Sequence, residues 1–291
     1  MLRAALIALL PALALGAPAE IDMRECLEAL ARTAATFAVT APGLSADETL
    51  DQRGRRGFME ILRGKNNKVR NVDFKLPEEF RTHQVVSKYK LEETGKGRVL
   101  HEVRTVVKMD GEDRAADFET PHTLTMGTHS PDDDLKRRLL ENLDQEQLEG
   151  AVTDFGQLIL LFTPRLQSDY EFSPGDARTV DGEPVAVVRY RQVRGDQGLT
   201  FFQERTADRQ PAEGEIWLRT KDLLPVRITI ETGEMTAKKY AIRTEAAVDY
   251  QPSRFGLVPR RVVHRQFLNK SLMVENDLHY GNFHHDPEMI P

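Results

Sequence analysis

GEIWLRTKDLLPVRITIETGE, residues 214–234, holds two alternating runs around a short polar break. Val226, Ile228 and Ile230 share one parity, while Arg227, Thr229 and Glu231 take the other. Side chains of a strand point alternately to its two faces, so this spacing predicts strands with one face on a core and one in water. The same pattern recurs on both sides. EPVAVVRYRQV (183–193) follows the turn Val180-Asp181-Gly182, and EAAVDYQPSRFGLVPRRVVHRQF (245–267) repeats the scheme around Pro252-Ser253 and Gly256. NKSLMVENDLHYGNF (269–283) ends it. Successive strands with short connections predict an antiparallel meander from about Tyr170 to Phe283.

Further upstream, HQVVSKYKLEET (83–94) and RVLHEVRTVVKMDG (98–111) flank a glycine-containing turn. Val85, Tyr89 and Leu91 share one parity of the first run. Val103, Thr105, Val107 and Met109 share one parity of the second, so a β-hairpin is expected. Residues 23–76 read instead as helical. ECLEALARTAATF sets Leu27, Leu30 and Ala34 on one face, and Pro42-Gly43 breaks the run. Phe58, Ile61 and Leu62 then give a second helical spacing within ADETLDQRGRRGFMEILRG (46–64).

Between hairpin and meander the sequence predicts a helical insertion over 131–163. Ser130-Pro131 with Asp132, Asp133 and Asp134 is a helix start with acids placed for the dipole. Leu135, Leu139 and Leu143 form a narrow apolar stripe. After Gly150, Thr153 can cap a second helix that Pro164 closes. Phe155, Leu158, Ile159, Leu160, Leu161 and Phe162 make that helix apolar all round, and a helix without a polar face must be covered.

MLRAALIALLPALALGAPAE (1–20) combines Arg3, an apolar run from Ala4 to Leu15 and an Ala17-Pro18-Ala19 cleavage site. It reads as a signal peptide over 1–19, so the chain is expected to be exported, periplasmic or extracellular. Cys26 is the one cysteine, which excludes an intramolecular disulfide and leaves stability to the core. Hydrophobic residues at 40% supply that core, and 30% charged residues exclude an integral helical membrane protein. The formal charge of −6 excludes a general nucleic-acid binder. Only Arg53–Lys75 opposes the trend, as a solvated basic segment or a peripheral contact with a membrane surface.

The phrases DFGQLILLFTP (154–164), YEFSPGDARTVDGEPVAVVRYR (170–191), GEIWLR…LLPVRITIE and AVDYQPSRFGLVPRR, in this order, resemble a group of secreted bacterial proteins related to the outer-membrane lipoprotein-sorting carriers, the LolA/LolB-like fold. The resemblance implies an α+β architecture over 77–291: a strongly curved antiparallel sheet, an incomplete barrel, with helices on its concave face and an N-terminal helical segment over 20–76. It implies a cavity that receives a lipid or the acyl chain of a lipoprotein. It carries over no functional residue.

Chemistry-bearing candidates are few. HYGNFHHD (279–286) gathers three of eight histidines, but strand parity separates His279 from His284 unless a bulge at Gly281 re-aims the strand. His122 and His129 could contribute only from elsewhere in the fold. Asn269-Lys270-Ser271 is a formal glycosylation sequon. No nucleophile elbow, H-E-x-x-H, phosphate loop or G-x-G-x-x-G occurs, so the residues favour a non-catalytic chain without a cofactor. The expected apolar site is Phe155, Leu158, Ile159, Leu161 and Phe162, with Trp217 as a further contact. Three functions compete: an exported apolar-ligand carrier, an envelope interaction protein with a filled barrel, and a metal-dependent hydrolase using the terminal histidines.

Overall fold

The computed structural model describes residues 22–55, 78–94, 99–113, 155–195, 199–203, 206–233, 235–237 and 240–285. The stretch 1–19 read as a signal peptide, the basic stretch beyond Arg55, the expected insertion up to Asp154 and His122 and His129 lie outside them.

Helix α1 (Met23–Thr40) starts at Asp22, whose Oδ1 accepts the Arg24 N–H at 2.9 Å. It buries Cys26, Ala29, Leu30, Ala34 and Phe37 along one stripe. The chain then forms β1 (Leu44–Arg55), β2 (Phe80–Thr94), β3 (Val99–Met109) and the short β4 (Glu112–Asp113). After residue 154 it resumes with a 3₁₀ helix, Leu158–Phe162, followed by β5 (Tyr170–Pro174), β6 (Arg178–Val180) and β7 (Glu183–Gln192). A separate hairpin of β8 (Leu199–Gln203) and β9 (Thr206–Gln210) precedes β10 (Ala212–Arg219), β11 (Pro225–Thr232), β12 (Met235–Ala237), β13 (Tyr240–Ser253), β14 (Gly256–Leu268) and β15 (Ser271–His285).

Among the described residues the main sheet has 13 strands, and its path is β4-β3-β2-β1-β15-β14-β13-β11-β10-β7-β5, with β6 and β12 paired alongside. Its ends do not meet, so the barrel is incomplete, and the strand pairs along this path are antiparallel. The chain enters at the centre with β1, runs to one edge, crosses over and returns from the other edge to β15. There β15 pairs with β1 along Leu44–Gly54, so the terminal strand closes the middle of the sheet and not an edge. Inward side chains from β1 and β2 round to β5 belong to one core cluster with α1 and the 3₁₀ helix, which wraps the sheet around them.

Two expectations fail for one physical reason. Residues 46–55 are strand, not helix: Leu44, Ala46, Glu48, Gln52 and Gly54 alternate inward, with Leu50 between them partly buried. Glu48 and Gln52 occupy buried positions, which hides the period of two from a reading based on apolar residues. In β3 the inward set is Leu100, Glu102 and Arg104, not Val103, Thr105 and Val107; a register shift between Val86 and Ser87 brings Met109 inward again. A third expectation changes for another reason, packing against the sheet: the all-apolar helix is one short 3₁₀ helix, Leu158–Phe162, with every residue buried.

The β14–β15 turn is strained. Asn269 and Lys270 both have positive φ, 47° and 69°, the conformation that suits Asn-Gly. Lys270→Gly is therefore expected to raise stability by about 1 kcal/mol in urea melts, the cost of a left-handed non-glycine residue. An unchanged or lower midpoint would contradict a strained turn.

Candidate functional site

The concave face of the sheet is the site on which the largest apolar surfaces meet. Phe155, Leu158, Ile159, Leu161 and Phe162 all lie there, at 0–3% exposure. Phe162 enters an aromatic nest, its ring 4.9 Å from Tyr190, 5.5 Å from Tyr170 and 6.2 Å from Phe172. Short polar ties fix the segment to the strands. Gly156 N donates to Glu102 Oε1 at 2.9 Å, Gln157 Nε2 to the Leu100 carbonyl at 3.1 Å and Ile159 N to Tyr250 Oη at 3.2 Å. Residue 156 must be glycine for this approach, because a Cβ would stand 2.6 Å from Glu102 Oε1 and 3.3 Å from Pro259 Cγ.

Beneath the plug lies a buried ionic node. Arg104 Nε reaches both oxygens of Glu48 at 2.7 and 2.8 Å, and its Nη2 donates to Glu102 Oε2 at 2.8 Å. Tyr89 Oη donates to Glu102 Oε1 at 3.1 Å, and Tyr280 stands 3.4 Å from Arg104 Nη2. Burial disfavours the guanidinium charge, but the Glu48 and Glu102 carboxylates outweigh it and hold Arg104 well above its ordinary value. The Tyr89 and Tyr280 phenols are pushed upward by burial and by the same carboxylates.

A second polar row crosses the same face. Gln52 Nε2 donates to Asn276 Oδ1 at 2.6 Å, which turns Asn276 Nδ2 towards His264 Nδ1 at 3.1 Å. Nδ1 is thus an acceptor, and the neutral ring carries its proton on Nε2. Burial alone drives the imidazole down to about 3.

Trp217 does not join this site. It alternates with the inward Ile216 and Leu218, so its indole faces outward, between Arg178 and Arg227 at 4.6 and 5.0 Å, with Nε1 donating to Glu215. The outer face also bears a groove of about 740 Å³ lined by charges of both signs, among them Arg189, Arg191, Glu213, Glu231, Glu245 and Arg265.

The terminal histidines scatter. His279 is exposed beside Asp277 at 3.1 Å. A register shift opposite Gly281, with Asn282 at φ 54°, sends Phe283 towards the core and leaves His284 exposed, while His285 lies 6.1 Å from the Phe255 ring. Among the described residues no group of three or more His, Cys, Asp or Glu side chains is arranged to hold a metal ion. Sequence reasoning missed Glu48, Gln52, Glu102, Arg104, His264 and Asn276. The signal available was parity: each shares its inward face with apolar neighbours two residues away.

No family model and no curated protein matches the sequence. Among solved structures, the chain is similar over 91% of its length to a DUF1329 family protein from Desulfovibrio piger, at 12% identity, 93% of that chain and a TM-score of 0.40. It is similar over 91% to a putative outer membrane lipoprotein-sorting protein domain from Vibrio parahaemolyticus, at 8% identity, 94% of that chain and a TM-score of 0.42. A third likeness, to MucB, covers 91% of this chain and 95% of that one at 13% identity and a TM-score of 0.21.

Two outcomes test the site's energetics. Arg104→Met leaves two carboxylates buried without their cation and is expected to cost about 3–5 kcal/mol in urea unfolding; a loss below about 1 kcal/mol would show the node to be solvated. His264 has a folded-state value near 3 against 6.5 unfolded, so the unfolded chain takes up the proton first as pH falls. Its contribution is complete above 6.5 and is lost on acidification towards 3. The stability slope from this group, which approaches about 1.4 kcal/mol per unit as pH falls from 6.5 to about 5, should flatten in His264→Met.

Proposed function

We propose that this chain is an exported, non-catalytic binding protein whose concave face takes an apolar chain, a lipid or the acyl chain of a lipoprotein, in place of the segment Phe155–Phe162. The observation that carries the proposal is that the face, beside α1, is covered by a short 3₁₀ segment belonging neither to the sheet nor to α1. Hydrogen-bond geometry in a 3₁₀ turn is poor, so apolar burial and the few ties at Gly156, Gln157 and Ile159 must hold it. Burial is non-directional and yields about 25 cal/mol per Å² for any apolar occupant. Exchange of one apolar occupant for another therefore leaves the face covered and costs mainly the ties. The leader over 1–19 would deliver the chain to a compartment where such ligands reside.

A second reading has its own support. Every large side chain of the segment is buried in the core, while the outer groove of about 740 Å³ is open. On that reading the barrel is permanently filled and the outer face meets a partner.

The two separate in one experiment on the mature protein: titration with the apolar fluorophore N-phenylnaphthylamine, competition by acyl chains, and mass spectrometry of an organic extract. Saturable binding that tightens in Gly156→Ala, where the new Cβ displaces the Glu102 tie, supports plug exchange. Absence of binding in both proteins, with no extractable lipid, would leave the filled barrel.

A further inference from the structure

Three buried polar atoms without a hydrogen-bond partner come together on the concave face: Thr244 Oγ1, Gln266 Oε1 and His264 Nε2. The sheet register makes them neighbours. Thr244 on β13 stands directly opposite Gln266 on β14, and His264 is two residues from Gln266 on the same face, opposite Ala246. Thr244 is 3% exposed and His264 0%. Native interiors leave few such atoms unpaired, because each costs about 1–3 kcal/mol. Three at adjacent positions are a built feature.

Their chemistry is complementary to one kind of group. His264 Nε2 carries the proton, since Asn276 occupies Nδ1, and is a donor. Gln266 Oε1 is an acceptor, and the Thr244 hydroxyl can be either. The inward neighbours on the flanking strands are Thr232, Ala246, Val274 and Asn276, none of them charged. The charged residues alternating with the triad, Glu245, Arg265 and Glu275, pair with one another on the opposite face. The imidazole itself stays neutral in this setting. A carboxylate or phosphate would find no counter-charge here, whereas a hydroxyl or amide, donor and acceptor at once, would satisfy all three atoms.

The Phe155 ring, the first apolar residue of the plug, lies 5.4 Å from the His264 ring. Departure of the plug thus uncovers His264, and with it the approach to Thr244 and Gln266 alongside. We infer that Thr244, Gln266 and His264 form the polar subsite of the concave face, for the uncharged, hydroxyl- or amide-bearing head of an amphiphile whose chain replaces Phe155–Phe162. This rests on the plug-exchange reading and specifies its ligand class.

The test competes the bound fluorophore on the mature chain with monopalmitoylglycerol and with palmitate, which share a chain and differ in head. Wild type should favour the glycerol ester by about tenfold, as two added hydrogen bonds imply. Thr244→Val with Gln266→Met should lose that preference and keep its affinity for the fluorophore. Equal displacement by both ligands, or a preference that survives in the double variant because ordered water alone fills the triad, would overturn the subsite and leave plug exchange standing. Failure of any apolar chain to bind would overturn both.

Discussion

The pairing of Arg104 Nε with both carboxylate oxygens of Glu48 is the contact on which the rest of the fold depends. It joins β3 to β1, the strand with which the chain enters the sheet. Through Glu102 it reaches the plug at Gly156, and through Tyr280 it reaches β15, the strand with which the chain leaves. Four segments far apart in sequence converge on one guanidinium. Burying it costs several kcal/mol before any attraction is counted, so the geometry must be fully satisfied to persist. What it supplies is register: β1 can slip by one residue against β2 or β15 only by carrying Glu48 to the outer face.

That constraint explains why the concave face is divided. Its middle and its β5–β7 end are apolar, with Ile216, Ile228, Val248 and the aromatic nest around Phe162. Its β1–β3 flank and the row through Gln52, Asn276 and His264 are polar and buried. A wholly apolar face would bind its plug by burial alone and in many registers. The polar positions give the plug a defined seat, at Glu102, Leu100 and Tyr250. On the plug-exchange proposal they would also keep the cost of vacating that seat to a few hydrogen bonds once another apolar occupant is present.

The same division governed what could be read from the residues. PVRITIE and EPVAVVRYRQV announced their strands because their inward positions are apolar. LSADETLDQRGR does not, because Glu48 and Gln52 stand where valines would have marked the period, and its pattern reads as helix. The apolar run Phe155–Phe162 was legible as buried, since hydrophobicity on every side leaves no alternative, but its 3₁₀ form comes from packing and not from composition. Trp217 lies on the outer face although an aromatic residue between Ile216 and Leu218 suggests a core. Two flanking arginines make the outer face hospitable to its ring. The node itself was invisible: nothing local in Glu48, Glu102 or Arg104 announces that residues 56 positions apart will pair.

The outer face completes the argument for where an apolar ligand can go. One rung runs Arg191, Glu213, Glu231, Glu245, Arg265 and Glu275 across five sheet pairings, charge beside charge. Three glutamates sit directly opposite one another in its middle, an unfavourable juxtaposition, and the Glu231 carboxyl is pushed upward by burial and by Glu213. No second sheet or apolar chain could pack over such a rung without stripping water from charges. The sheet therefore has one face whose charged rung opposes apolar cover and one that requires it. Since the second must always be covered, any apolar ligand this fold accepts has to take the place of something already there, and the short segment Phe155–Phe162, with its five-residue 3₁₀ helix beside the 18-residue α1, can yield without unpairing a strand.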